Sequence, residues 1–186
     1  MTYFFTSDEH FGHKKILEYC NRPFDNVDEM DNFIINNFNS KVTKNDVTIH
    51  AGDFTLWKNM RGIYKKYINR LNGKHFFLKG SHDYWLNGLN QINQIWEKNI
   101  TFNKKKYYIV VCHYAMRVWA RSHYNSFQLY GHSHGNLEPI GKQWDIGVDN
   151  NNFFPLSLEE IIEIMKNRPN NFNFIKESYE RNKKCF

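Results

Sequence analysis

The stretch TYFFTSDEH, residues 2–10, decides the reading of this chain. Its first half is aromatic and β-branched, as strands are. Its second half drops at once into Asp8 and His10. The same change recurs at Gly52-Asp53 behind residues 46–51, and at Gly80-Ser81-His82-Asp83 behind residues 75–79. It recurs again at His113 behind residues 106–112, and at Gly131-His132-Ser133-His134 behind residues 127–130. Each fragment supplies Asp or His just past an apolar run. Strand ends that gather imidazoles and carboxylates describe a metal centre, because strands fix the Cα positions of the loops that follow them.

The rest of the pattern supplies the scaffold. Helical spacing of apolar residues predicts helices over 13–20, 28–39 with Asp28 as N-cap, 60–71, more weakly 88–98, and finally 156–166. Strands fall at 2–6, 46–51, 75–79, 127–130 and 143–148, with a hairpin from 100–102 through a turn at 103–105 to 106–112. The β-α-β-α-β order at the start predicts a parallel sheet, and the later hairpin an antiparallel part. The fold class is therefore α/β: a two-sheet β-sandwich of mixed strands flanked by helices. A length of 186 residues suits a single domain over 1–186, with a polar tail from about residue 167.

Composition narrows the setting. Apolar content of 41% and charged content of 24% fit a soluble globular protein. No apolar run approaches the ~20 residues that span a bilayer, and residues 3–5 are too short for a signal-peptide core. Cys20, Cys112 and Cys185 show no CxxC spacing; reduced thiols and a cytoplasmic location are the expectation. The net charge of +6 is either solvated helix faces or attraction to a polyanion such as nucleic acid.

The order DxH, GD, G-x-HD, H, GHxH resembles that of the calcineurin-like metallophosphoesterases, in particular their small single-domain bacterial and phage branch. Flanking stretches add to the likeness: residues 6–13 (TSDEHFGH), 21–24 (NRPF) and 153–161 (FFPLSLEEI). The resemblance covers roughly residues 3–165 and implies the fold of that family. It implies that Asp8, His10 and His134 hold one metal, His113 and His132 another, and that Asp53 bridges both. The family's Asn ligand is Ser81 here, which would weaken the second site. His82 would give a proton to the leaving oxygen, or clamp the phosphate, with Asp83 orienting it through the other ring nitrogen; a structural bond between the two is the alternative.

Mixed nitrogen and oxygen donors favour two divalent transition metals, Mn first, with Fe, Ni or Zn in its place, over Ca or Mg. The implied chemistry is phosphoester hydrolysis by metal-activated hydroxide, with a phosphodiester of nucleotide type ahead of a phosphomonoester. A non-catalytic metal-binding scaffold is the reading that Ser81 favours. His13 and Arg22 are candidate substrate contacts, against a helix-start residue and a surface ion pair. His50 and His75 lie within strands and read as structural; His123 falls in an unassigned loop. Trp57, Tyr84, Trp85, Tyr114 and Trp119 lie near the motifs and serve either to stack a nucleobase or to pack the core.

Overall fold

The computed structural model describes residues 1–87 and 93–171. Strand β1 (Tyr3–Thr6) leads through helices α1 (Ile16–Tyr19) and α2 (Val27–Lys41) to β2 (Val47–His50). Helix α3 (Met60–Lys66) and a 3-10 turn (Ile68–Arg70) lead to β3 (Lys74–Phe77). The second half runs β4 (Ile95–Phe102), β5 (Lys105–Cys112), β6 (Phe127–Tyr130), β7 (Gln143–Asp145), β8 (Leu156–Ser157) and α4 (Leu158–Lys166).

These strands form two mixed sheets, ordered β3-β2-β1-β8 and β4-β5-β6-β7. In the first, β1, β2 and β3 are parallel and β8 adds antiparallel to β1. All of β2 is buried, as a strand covered on both faces must be. One apolar layer joins the sheets: Phe5 and Ile49 from the first with Leu78 just past β3, Ile109, Val111 and Leu129 from the second, and Ile161 and Met165 of α4. A second layer packs Phe4 against Met30, Ile34 and Phe38 of α2 and Ile63 of α3. Burying side chains of this size stabilises by about 1.5–3 kcal/mol each.

Several expectations need correction. The later half is not antiparallel beyond its hairpin: β5–β6 and β6–β7 are parallel. Parallel neighbours need a crossover of a dozen or so residues, and segments 113–126 and 131–142, which carry the site motifs, provide it without a helix. The helix predicted over 88–98 does not continue through Ile95–Lys98, which pair with β5 as strand; residues 88–92 lie outside the described ones. Trp96 packs on the inter-sheet core, and that burial outweighs helix propensity.

The hairpin turn has two residues, Asn103 and Lys104, both in the left-handed region at φ +48° and +64°. The α2 N-cap is Asn26, whose side chain accepts from the Glu29 amide, rather than Asp28. The helix expected from His13 shrinks to Ile16–Tyr19, and that over 60–71 stops at Lys66. The last helix starts at Leu158, capped by a Ser157–Glu160 box, because Leu156 and Ser157 pair with β1. The tail is anchored where it starts, with Arg168 Nε donating to Gly141 O at 2.7 Å; residues 172–186 lie outside the described ones. Among the described residues, no helix is long and apolar enough to cross a membrane.

Candidate metal centre

All five Asp/His fragments follow the carboxyl ends of β1, β2, β3, β5 and β6. Backbone bonds knit the loops together: Asp8 N donates to Gly52 O and His10 N to Asp53 O, both at 3.0 Å, and Gly131 N to His113 O at 3.0 Å. The loops come so close that side chains are excluded. A Cβ on Gly80 would collide with Asp53 Oδ1 and its backbone N, and one on Gly131 with Ser7 Oγ and Asp8 Oδ2. Asp8, His10, Asp53, His132 and His134 all have positive φ, at +59°, +53°, +54°, +68° and +47°. Such backbone costs about 1–3 kcal/mol per residue and concentrates where side chains must be aimed.

The side chains converge in two groups whose donor atoms lie within 4.8 Å of one another: Asp8, His10 and His134, and Asp53, His113 and His132. Either group is suited to hold a metal ion. Asp53 lies between them, with Oδ2 at 3.3 Å from His113 Nε2 and 3.8 Å from His10 Nε2. Three donors are buried without a hydrogen-bond partner: Asp8 Oδ1, His10 Nε2 and His113 Nε2. A buried polar atom left unpaired costs about 1–3 kcal/mol, so two such atoms in the first donor group and one in the second fit bound cations. Burial also pushes the Asp8 carboxyl up to about 7, a penalty on its charged form that a cation would offset. Asp53 behaves oppositely: burial works to raise it, but the charge of His113 at 3.3 Å, the His82 amide and the charge of His10 hold it well below the carboxylate range.

The outer ring nitrogens are engaged, which turns the inner ones toward the centre. His113 Nδ1 meets Ala51 O at 2.9 Å, and His134 Nδ1 meets Asp149 Oδ2 at 2.7 Å. Burial would depress His134, but the Asp149 bond and the Asp8 charge raise it overall. His10 Nδ1 lies 3.3 Å from Nδ1 of the half-buried His13.

Two expected roles do not survive this geometry. Arg22 is buried, and its guanidinium donates to Asp149 Oδ1 and Oδ2 at 2.8 and 2.7 Å, to Asp8 O and Glu9 O, and to Met30 Sδ. All its N–H groups are taken, so it braces the first ligand loop and does not clamp substrate. Asp83 does not orient His82. Its carboxylate accepts from Asp53 N at 2.6 Å, Phe54 N at 3.0 Å, Gly80 N at 2.9 Å and Trp85 Nε1 at 3.0 Å, which fills it. It ties the Asp53 loop to the Ser81 loop instead. His82 donates its backbone N–H to Asp53 Oδ1 at 2.8 Å, and its partly exposed ring lies 5.6 Å from that of His10. Ser81 Oγ donates to Asp53 Oδ2 at 2.8 Å, beside the second group.

Other participants escaped the sequence reading. Asp149, the link between His134 and Arg22, has no motif around it. Cys20 lies with His134 and Asp149 in a third cluster of donor atoms, but that nitrogen and those oxygens already serve one another and Arg22. Glu9 is buried, with Oε1 at 2.7 Å from His50 Nδ1, and His50 Nε2 is 3.1 Å from His75 Nδ1. Burial pushes the Glu9 carboxyl up to about 8 and both imidazoles down to about 3. The aromatics divide: Trp85 and Trp119 are buried, while Trp57, Tyr84 and Tyr114 are 36%, 47% and 48% exposed. The Tyr114 ring stands edge-on to that of His132, with centroids 4.8 Å apart.

No protein-family model matches the chain. It is 29% identical over 167 residues to the uncharacterized protein MJ1445 of Methanocaldococcus jannaschii, over 86% of this chain and 89% of that protein. The crystal structure of AQ665 from Aquifex aeolicus, a protein of unknown function, matches 88% of this chain and 98% of its own, with a TM-score of 0.65 and 22% identity. The chain thus shares its fold, a helix-flanked pair of mixed sheets, with AQ665.

Proposed function

We propose that this chain is a metal-dependent phosphoester hydrolase of the calcineurin-like type, with a dinuclear centre built on Asp53. The observation that carries the reading is the pair of three-residue donor groups that Asp53 Oδ2 links, with Asp8 Oδ1, His10 Nε2 and His113 Nε2 buried and unpaired among them. Asp8, His10 and His134 would hold one ion, His113 and His132 the other, and Asp53 both. Two divalent transition metals bound there, Mn first among them, supply an activated water and positive charge for the phosphate.

The remaining chemistry falls to this chain's own side chains. His82, anchored by its backbone to Asp53 with its ring partly exposed, would donate the proton that the leaving oxygen needs. His13, whose Nδ1 meets that of His10, would offer Nε2 to a phosphate oxygen. Exposed Tyr84 and Tyr114 beside the motifs and the net charge of +6 support a phosphodiester of nucleotide type.

Hydrolysis of bis-p-nitrophenyl phosphate with Mn²⁺, lost in Asp53→Asn, is the test. Inactivity across metals and esters would overturn the reading in favour of a metal-binding scaffold. That alternative rests on Ser81, whose hydroxyl hydrogen goes to the shared Asp53 oxygen. Parallel turnover of mono-p-nitrophenyl phosphate separates the ester classes, and a strong monoester preference would sink the diester choice.

A further inference from the structure

The outer face of the second sheet carries features that the metal centre does not use. Along β5, Tyr107, Ile109 and Val111 point into the core, so Lys106 and Tyr108 point outward. Asn99 of β4 sits opposite Tyr108 in the register and shares its face. Residues 119–126 fold beside this face as a braced loop. Buried Trp119 donates from Nε1 to Ser126 Oγ at 3.0 Å, and Ser126 Oγ donates to Ala120 O at 2.7 Å. Tyr124 N donates to Arg121 O at 2.7 Å.

This bracing holds Arg121 and Asn125 in the left-handed region, both at φ +59°. A long side chain seldom adopts that backbone unless its surroundings impose it. The result is a guanidinium whose carbon lies 4.5 Å from the centroid of the Tyr108 ring. The ring is itself fixed by its hydroxyl, which donates to Glu97 Oε2 at 2.7 Å. Between strand and loop lies a cleft of about 650 Å³, lined by Asn99, Lys106, Tyr108, Arg121, His123 and Asn125 among others, with no carboxylate among its described lining residues. That volume falls within the range of small-ligand sites.

A flat cation–aromatic pair, a lysine and two side-chain amides in one cleft match a planar base joined to a phosphate. We propose that this cleft binds a nucleotide unit of a single-stranded nucleic acid, the base against the Arg121–Tyr108 pair and the phosphate at Lys106. The cleft lies away from the metal centre: Tyr108 precedes His113 along β5 by roughly 16 Å at strand rise. The proposal rests on binding alone and does not require the hydrolase reading.

The experiment is fluorescence anisotropy of a labelled 20-mer oligodeoxythymidine with EDTA present, so that nothing is hydrolysed. Arg121→Asn keeps a residue that tolerates the left-handed backbone; Lys106→Gln removes the other charge; Lys44→Gln, exposed and remote in sequence, matches the lost charge. The first two variants are expected to weaken binding by roughly tenfold or more and lower the salt slope by about one, with Lys44→Gln near the wild type. Thymidine monophosphate as competitor separates the sources: oligonucleotide binding that survives an equal concentration of the mononucleotide is expected for strands, and full displacement at that concentration assigns the site to free nucleotides and overturns the strand reading. Binding by the two variants equal to that of Lys44→Gln overturns the proposal. So does displacement of the oligonucleotide by polyglutamate at equal charge, which would make the face a general anion or acidic-peptide surface. Hydrolysis of bis-p-nitrophenyl phosphate by the same two variants stays at the wild-type rate, so a failure of the hydrolase reading and a failure of the cleft are read separately.

Discussion

Asp83 and His82 are adjacent in sequence and separate in effect. The Asp83 carboxylate is filled by four N–H donors from two ligand loops, and none of them comes from the His82 ring. In Asp83→Asn one oxygen becomes an NH2 facing two of those donors, at a cost of about 1–3 kcal/mol for the groups left unpaired. That variant is expected to lose metal on dialysis and to regain it with excess Mn²⁺. His82→Ala is expected to retain metal and to lose about 10²–10⁴ in turnover, most with poor leaving groups. Metal content together with rates on good and poor leaving groups checks both; an Asp83→Asn protein that keeps its metal and copies His82→Ala would restore the orienting role. Ser81→Asn adds an amide oxygen beside Asp53, His113 and His132 and is expected to tighten that group's metal affinity, as read by calorimetric titration. The donor residues were legible because Asp and His stand out after strands. The partners of those donors were not: Asp149 and Arg22 reach the centre through a fold that no local spacing reveals.

At the level of elements, legibility followed the strength of local signals. Strands β1, β2, β3 and β6 read well because aromatic and β-branched runs end in Gly or Asp. Ile95–Lys98 read as helix because its pattern fits either period, and only pairing along the whole of β5 decides it. The hairpin turn illustrates the limit of sequence in another way. Asn103 and Lys104 both sit at positive φ, the geometry of a two-residue primed turn that favours Asn-Gly. Lys104 has a Cβ in a region that Gly occupies freely. Lys104→Gly is therefore expected to raise stability by about 0.5–1 kcal/mol, measured by urea unfolding. A loss of stability would show that the lysine side chain does more at the turn than the backbone suggests.

For the molecule as a whole, pH sensitivity originates in the interior of the first sheet. His50 and His75 are held neutral by burial, with pKa values lowered from 6.5 to about 3. Between pH 6.5 and 3 the unfolded chain therefore binds protons that the folded chain refuses. Stability is complete above about pH 6.5 and declines as pH falls, by about 1.4 kcal/mol per unit for each group. Glu9 works in the other direction, since its raised pKa of about 8 makes the folded state lose ground as pH rises above its ordinary value of 4.5. The two imidazoles are in contact at 3.1 Å, so their effects are not additive. The Asp8 carboxyl of the candidate metal centre, pushed up to about 7 by burial, titrates in the same range, so the measurement is made in chelator and as a difference. The wild type is expected to lose stability between pH 7 and 4.5 by about 1–3 kcal/mol more than His75→Phe, which removes one half-buried imidazole and keeps an aromatic ring beside Phe38 and Phe77. Urea unfolding of both proteins at the two pH values gives the difference. Parallel declines would mean that acid enters through the loops of the candidate metal centre rather than through this histidine pair.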